Sequence, residues 1–153
     1  MSTTLTSNAR PDREIRLSWL FFAGTFVALI LNGMWSLAVG TSSFGGDEED
    51  LVRGWEGVFR NLPAYLLLVV IASLSVWFAT QAGVHGSQRA KPALIASSLV
   101  LLFALNSVTR DSAEVVMTTR AATMAWTLFG IDALLVSLIF VTARRRITHA
   151  SGR

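Results

Sequence analysis

Residues 122–143 read ATMAWTLFGIDALLVSLIFVTA, and Arg144-Arg145-Arg146 follows directly. The stretch has no Lys or Arg and one acid, Asp132. A bilayer core needs about 20 apolar residues at ~1.5 Å of rise each, so this run is long enough to cross it. Three more runs resemble it: Leu17 to Val39, Pro63 to Ala82 and Pro92 to Val108. None holds a basic residue. Four such runs make buried helices of a soluble domain the weaker explanation. The composition agrees, with 52% hydrophobic and 15% charged residues, where a soluble domain carries about a quarter charged. Mean hydropathy is +0.53.

These runs predict an all-α integral membrane protein, a four-transmembrane-helix bundle. The expected order is an N-terminal tail over 1–16, a transmembrane domain over 17–144 and a basic tail over 145–153. Pro63 and Pro92 fall where a helix is expected to begin, since proline lacks only an amide that has no partner there. Asp111 with Glu114 suggests a capping box that would start the fourth helix near Ser112. Ser36-Leu37-Ala38 loosely fits a signal cleavage site, but the apolar run before it exceeds the ~7–15 residues of a signal core.

Charge sets the expected orientation. Arg10, Arg13, Arg16, Arg89, Lys91, Arg144, Arg145, Arg146 and Arg153 fall on one side of the spans. Arg53, Arg60, Arg110 and Arg120 fall on the other. The positive-inside rule then places both termini in the cytoplasm, in the inner membrane of a cell. Trp19 and Trp77 are expected at the inner interface, and Trp35, Tyr65 and Trp126 at the outer one. Arg144, Arg145 and Arg146 are expected to touch anionic lipid headgroups.

With no cysteine in the chain, disulfides and thiolate metal sites are excluded. His85 and His149 lie outside the spans, so no metal centre or cofactor is expected. No Gly-rich phosphate loop and no Ser/His/Asp constellation occurs, which leaves no catalytic centre to propose. Without a basic, aromatic-interleaved domain, nucleic acid is not an expected partner.

Asp132 is the residue that requires an account. A carboxylate at mid-membrane costs ~2.5–3.5 kcal/mol on insertion scales, and no basic residue within a span can pair with it. Two readings stay open: a proton or cation carrier, and a carboxyl that joins helices by hydrogen bonding. Counting from the ends of the runs puts Ser73 and Ser75 at its level. Asn32 would sit ~6 Å further out, and Asn106 further still. A polar track through Asp132, Asn32 and Asn106 would reach the outer face if all three pointed inward.

Small residues recur at four-residue spacing, as helix packing in lipid requires. Ser75, Ala79 and Gly83 do so on the second run, and Gly24 with Ala28 on the first. Between the first two runs, Leu51, Trp55 and Phe59 repeat at helical spacing behind the acids 47–50. That pattern predicts a short amphipathic helix on the outer interface, a candidate docking face. The expected role is a non-enzymatic accessory or assembly subunit of a larger membrane complex. The second reading is a small proton- or cation-coupled transporter, acting as a homo-oligomer with Asp132 titrating. Expected partners are membrane lipids and either other membrane subunits or further copies of the chain.

Overall fold

The computed structural model describes the backbone of residues 9–39, 48–116 and 121–151, and the side chains of 10–31, 62–109 and 126–151. Four helices account for it: α1 (Ala9–Val39), α2 (Glu48–Val84), α3 (Ala90–Val116) and α4 (Ala121–Ser151). All four contain a segment long and apolar enough to cross a membrane. The shortest, α3, has 27 residues, which at ~1.5 Å each is about 40 Å against a hydrocarbon core of ~30 Å. The helices therefore overrun the apolar stretches that nucleate them. α1 begins within the expected tail, with Pro11 and Asp12 in its first turn, where a missing amide is harmless and an acid meets the positive end of the helix dipole. α4 carries its arginines in helical form to Ser151.

Two expected boundaries are corrected. The short interfacial helix before the second span is not a separate element, because Glu48–Val84 is one helix with Pro63 inside it. Proline removes one backbone hydrogen bond, a loss that membrane helices accommodate, and the residues before it continue the helix. The side chains of Leu51, Trp55 and Phe59 lie outside the described residues, as do those of Asn32 and Trp35. The other correction concerns Asp111, Ser112 and Glu114, which belong to the last turns of α3 and not to the start of α4. No Gly or Pro occurs between Val108 and Val116, so nothing interrupts α3 at the end of its apolar run. Pro92 does fall in the first turn of α3, as its chemistry predicts.

The tight turn between α2 and α3 is made by a Schellman motif. Ser87 N–H donates to Ala82 O at 2.9 Å and Gly86 N–H to Gly83 O at 3.0 Å. Gly86 takes φ +84°, the left-handed conformation that this cap requires of its glycine. α2 and α3 form a central antiparallel hairpin. α1 and α4 each pack on both of these helices and do not touch one another among the described residues. They therefore occupy opposite sides of the hairpin.

The most deeply buried side chains are mostly small, and many large ones are exposed. Ala72, Ala79, Ala82, Ala90, Ala93 and Ala104 are buried with Ser18, Ser75 and Ser97. Leu20, Leu31, Leu67, Phe103, Trp126, Leu134 and Leu138 are exposed. A water-soluble bundle distributes these residue types the other way, because burial of large side chains is what drives its folding. In lipid that drive is absent, and small residues let backbones approach and gain dispersion contacts. Trp19 and Trp77 are about half exposed, whereas Tyr65 is buried and so does not stand free at an interface.

Glu14 of α1 reaches His85 of the α2–α3 turn, and Gly83 of α2 meets Ile147 of α4. The start of α1, the turn and the end of α4 are thus gathered at one end of the bundle. Arg10, Arg13, Arg16, Arg89, Lys91 and Arg144–Arg146 are therefore collected at that end, called here the arginine-rich end.

Candidate functional site

Asp132 is 5% exposed, on the face of α4 that meets α3. Thr109 Oγ1 donates to Asp132 Oδ2 at 2.7 Å. Thr109 also lies 3.2 Å from the carbonyl of Leu105 and 3.3 Å from that of Asn106. Because its one proton serves either the carboxylate or its own helix, the pairing with Asp132 draws it outward across the α3–α4 contact. Thr109 follows directly on the third apolar run, so Asp132 lies towards the end of the bundle away from the arginines.

Ser73 and Ser75 are therefore not at its level. Ser75 belongs to a buried node where three helices meet. Ser18 Oγ donates to Ser75 O at 3.0 Å, and Ser75 Oγ donates back to Ser18 O at 2.8 Å. Ser97 Oγ lies 2.6 Å from Ser75 Oγ and 3.4 Å from Ser18 Oγ. Each hydroxyl has one proton; those of Ser18 and Ser75 are committed to carbonyls, so Ser97 must donate to Ser75. The node ties α1, α2 and α3 with all three donors used. Along α3, the rise from Ser97 to Thr109 is about 18 Å, so the node and Asp132 are separate features. The register differs from that obtained by counting because Gly83 packs on Ile147, beyond the end of the fourth apolar run.

Ser73 is exposed and donates to Val69 O of its own helix at 2.7 Å. Asn106 lines a groove between α1 and α3, with Phe22, Phe26 and Ile30. Among the described residues Asp132 is thus brought to Thr109, and not to Ser73 or Ser75. Ala79 and Gly83 are buried in the helix contacts. A Cβ at Gly83 would stand 2.5 Å from Ile147 Cδ1 and 3.2 Å from Ala90 Cβ. Gly24 and Ala28 are exposed, and a Cβ at Gly24 would meet nothing within 4 Å. Their small faces do not serve packing within the described chain. Arg144, Arg145 and Arg146 are exposed on α4.

Sequence reading missed four partners. Thr109 stands one residue beyond the expected third span, Ser18 stands one residue inside the first, and Ser97 stands within the third, four residues after Ala93. The fourth, Glu14, accepts from His85 Nδ1 at 2.7 Å and lies 3.6 Å from Arg10. Only the closure of the bundle brings this contact about. Among the described residues, no three His, Cys, Asp or Glu side chains gather where they could hold a metal ion.

Four long apolar helices with a small-residue interior define the class: a small multi-pass α-helical membrane protein. Comparison with known proteins finds no matching family, no matching curated protein and no matching solved structure.

Proposed function

We propose that this chain is a non-enzymatic accessory or assembly subunit of a larger membrane complex, with both termini in the cytoplasm. The observation that carries this reading is the outward face of α1. Gly24 and Ala28 form a small-residue step of the kind that admits a neighbouring helix, yet nothing in the described chain fills it. The chemistry of the interior supports the same reading. Among the described residues Asp132 is engaged by the Thr109 hydroxyl across α3–α4, and the serine node consumes its own donors. Both arrangements hold helices together. The orientation rests on the arginine-rich end, which carries the excess of positive charge that marks the cytoplasmic side.

A proton-coupled transporter is the second reading, favoured by one observation, the buried carboxyl of Asp132. Intramembrane acids mark ion pathways by default. Purification in gentle detergent from native membranes, read by native mass spectrometry, separates the two. Stoichiometric foreign subunits are the expected result. A clean homo-oligomer or monomer would overturn the subunit reading and direct the work to proton-flux assays of Asp132→Asn in vesicles.

A further inference from the structure

A groove of about 400 Å³ runs between α2 and α4 on the outside of the bundle, lined among others by Val76, Trp77, Gln81, Leu138, Ile139 and Arg146. Its polarity is graded along its length. Ser73, Thr80 and Thr142 also border it, but each hydroxyl donates to the carbonyl four residues earlier in its own helix. The wall they form with Val76, Leu138 and Ile139 therefore offers hydrocarbon and no free donor. Towards the arginine-rich end stand the Gln81 amide and the Arg146 guanidinium. Neither ion pair found among the described residues involves Arg146. Trp77 is 53% exposed, as befits an indole at the boundary between acyl chains and headgroups.

We propose that this groove is a binding site for one anionic phospholipid, its acyl chain on the α2–α4 wall and its phosphate on Arg146 and Gln81. The shape and the charge both argue for this occupant. An apolar cleft with a few convergent polar groups at one end suits an amphiphile, and a guanidinium is a planar multiple donor matched to phosphate oxygens. Basic recesses between membrane helices hold anionic headgroups for these reasons. The arrangement also separates Arg146 from Arg144 and Arg145, which are not among the residues lining the groove. Those two are left to the general attraction between a basic surface and anionic lipid.

The test uses the full-length chain in detergent, titrated with phosphatidylglycerol or phosphatidylcholine and read by native mass spectrometry. One phosphatidylglycerol is expected to be retained at lipid levels where phosphatidylcholine is not. Arg146→Gln should weaken that retention about ten- to a hundredfold, a range set by the loss of one charge-assisted contact. Arg144→Gln and Arg145→Gln should each change it less than about twofold. Thr142→Phe, which fills the groove and keeps every charge, should also remove the bound lipid. Circular dichroism checks that each variant stays helical. A phosphatidylglycerol carrying brominated acyl chains adds a reading of place: it should quench wild-type fluorescence more than that of Trp77→Phe. Equal effects from the three arginine substitutions would reduce the site to surface charge. Retention that survives Thr142→Phe would show that the groove is not where the lipid sits. Equal retention of phosphatidylcholine, whose phosphate is balanced by its own choline cation, would overturn the preference for an anionic lipid.

Discussion

At the scale of single residues, the hydrogen bonds that run between these helices have strengths that can be measured. The Thr109–Asp132 bond at 2.7 Å is expected to contribute about 0.6 kcal/mol, and at most ~1.7, the range found for such bonds in lipid. Unfolding in a detergent titration of wild type, Thr109→Val, Asp132→Leu and the double variant gives the coupling directly. Additive single effects would show that the hydroxyl and the carboxyl do not act together. Gly83 permits a sharper prediction. A methyl there would lie 2.5 Å from Ile147 Cδ1 and 2.7 Å from Ile147 Cγ1, an overlap that costs ~1–3 kcal/mol when the neighbour must shift. Against it stands the ~1 kcal/mol that alanine gains over glycine in a helix. Gly83→Ala should therefore cost the wild type up to ~2 kcal/mol and cost less, or stabilise, in an Ile147→Ala background. The same cost in both backgrounds would mean that Ile147 is not what requires the glycine.

At the scale of elements, three glycines that look alike in sequence are expected to behave differently. Gly86 sits at φ +84° in the α2 cap, a conformation that costs an L-residue roughly 1–2 kcal/mol. Gly24 and Gly130 are helical, and a Cβ would meet nothing within 4 Å. Thermal unfolding should show Gly86→Ala destabilised by about that amount, with Gly24→Ala and Gly130→Ala unchanged or slightly stabilised. If Gly24→Ala left the isolated chain stable but released a copurifying subunit, the outward face of α1 would be identified as the contact. α2 carries its own test, because 37 residues of continuous helix extend to about 55 Å, well past a ~30 Å hydrocarbon core. Hydrogen exchange should find amides protected on both sides of Pro63. A sharp loss of protection over 48–62 alone would restore a separate outer segment.

For the whole molecule, the contacts Glu14–His85 and Gly83–Ile147 place the start of α1 and the end of α4 at one end. The chain contains no cysteine, so single introduced thiols report side without background. Arg10→Cys and Ser151→Cys should react with a membrane-impermeant maleimide from the same face, and Glu49→Cys from the opposite one. In intact cells the first two should be protected and the third labelled, if the positive-inside rule governs this chain. Labelling of Arg10→Cys and Ser151→Cys in intact cells would invert the proposed orientation while leaving the fold unchanged. The arrangement of α1 and α4 on opposite sides of the α2–α3 hairpin also leaves both with broad outer faces. Those of Leu20, Phe26, Leu134 and Leu138 are apolar, which in lipid carries no penalty and in water would lead to aggregation.

The amino-acid sequence alone set the number of helices, their membrane character and the grouping of arginines. Those follow from run length and from the exclusion of charge, local properties of 17 to 23 consecutive residues, whereas Pro63, read as a helix start, lies inside α2. It also singled out Ser75, Ala79, Gly83 and Asp132, because small or ionisable residues inside apolar runs are visible without coordinates. The tertiary structure decided which helix faces meet and at what register. Counting from apolar ends put Ser75 opposite Asp132, but close packing of Gly83 against Ile147 slides α4 along its neighbours and delivers Asp132 to Thr109. Likewise Gly24 with Ala28 and Ser75 with Ala79 share one spacing, yet the first pair faces outward and the second is buried. Spacing along a helix establishes that residues share a face, and only packing against other helices establishes what that face touches.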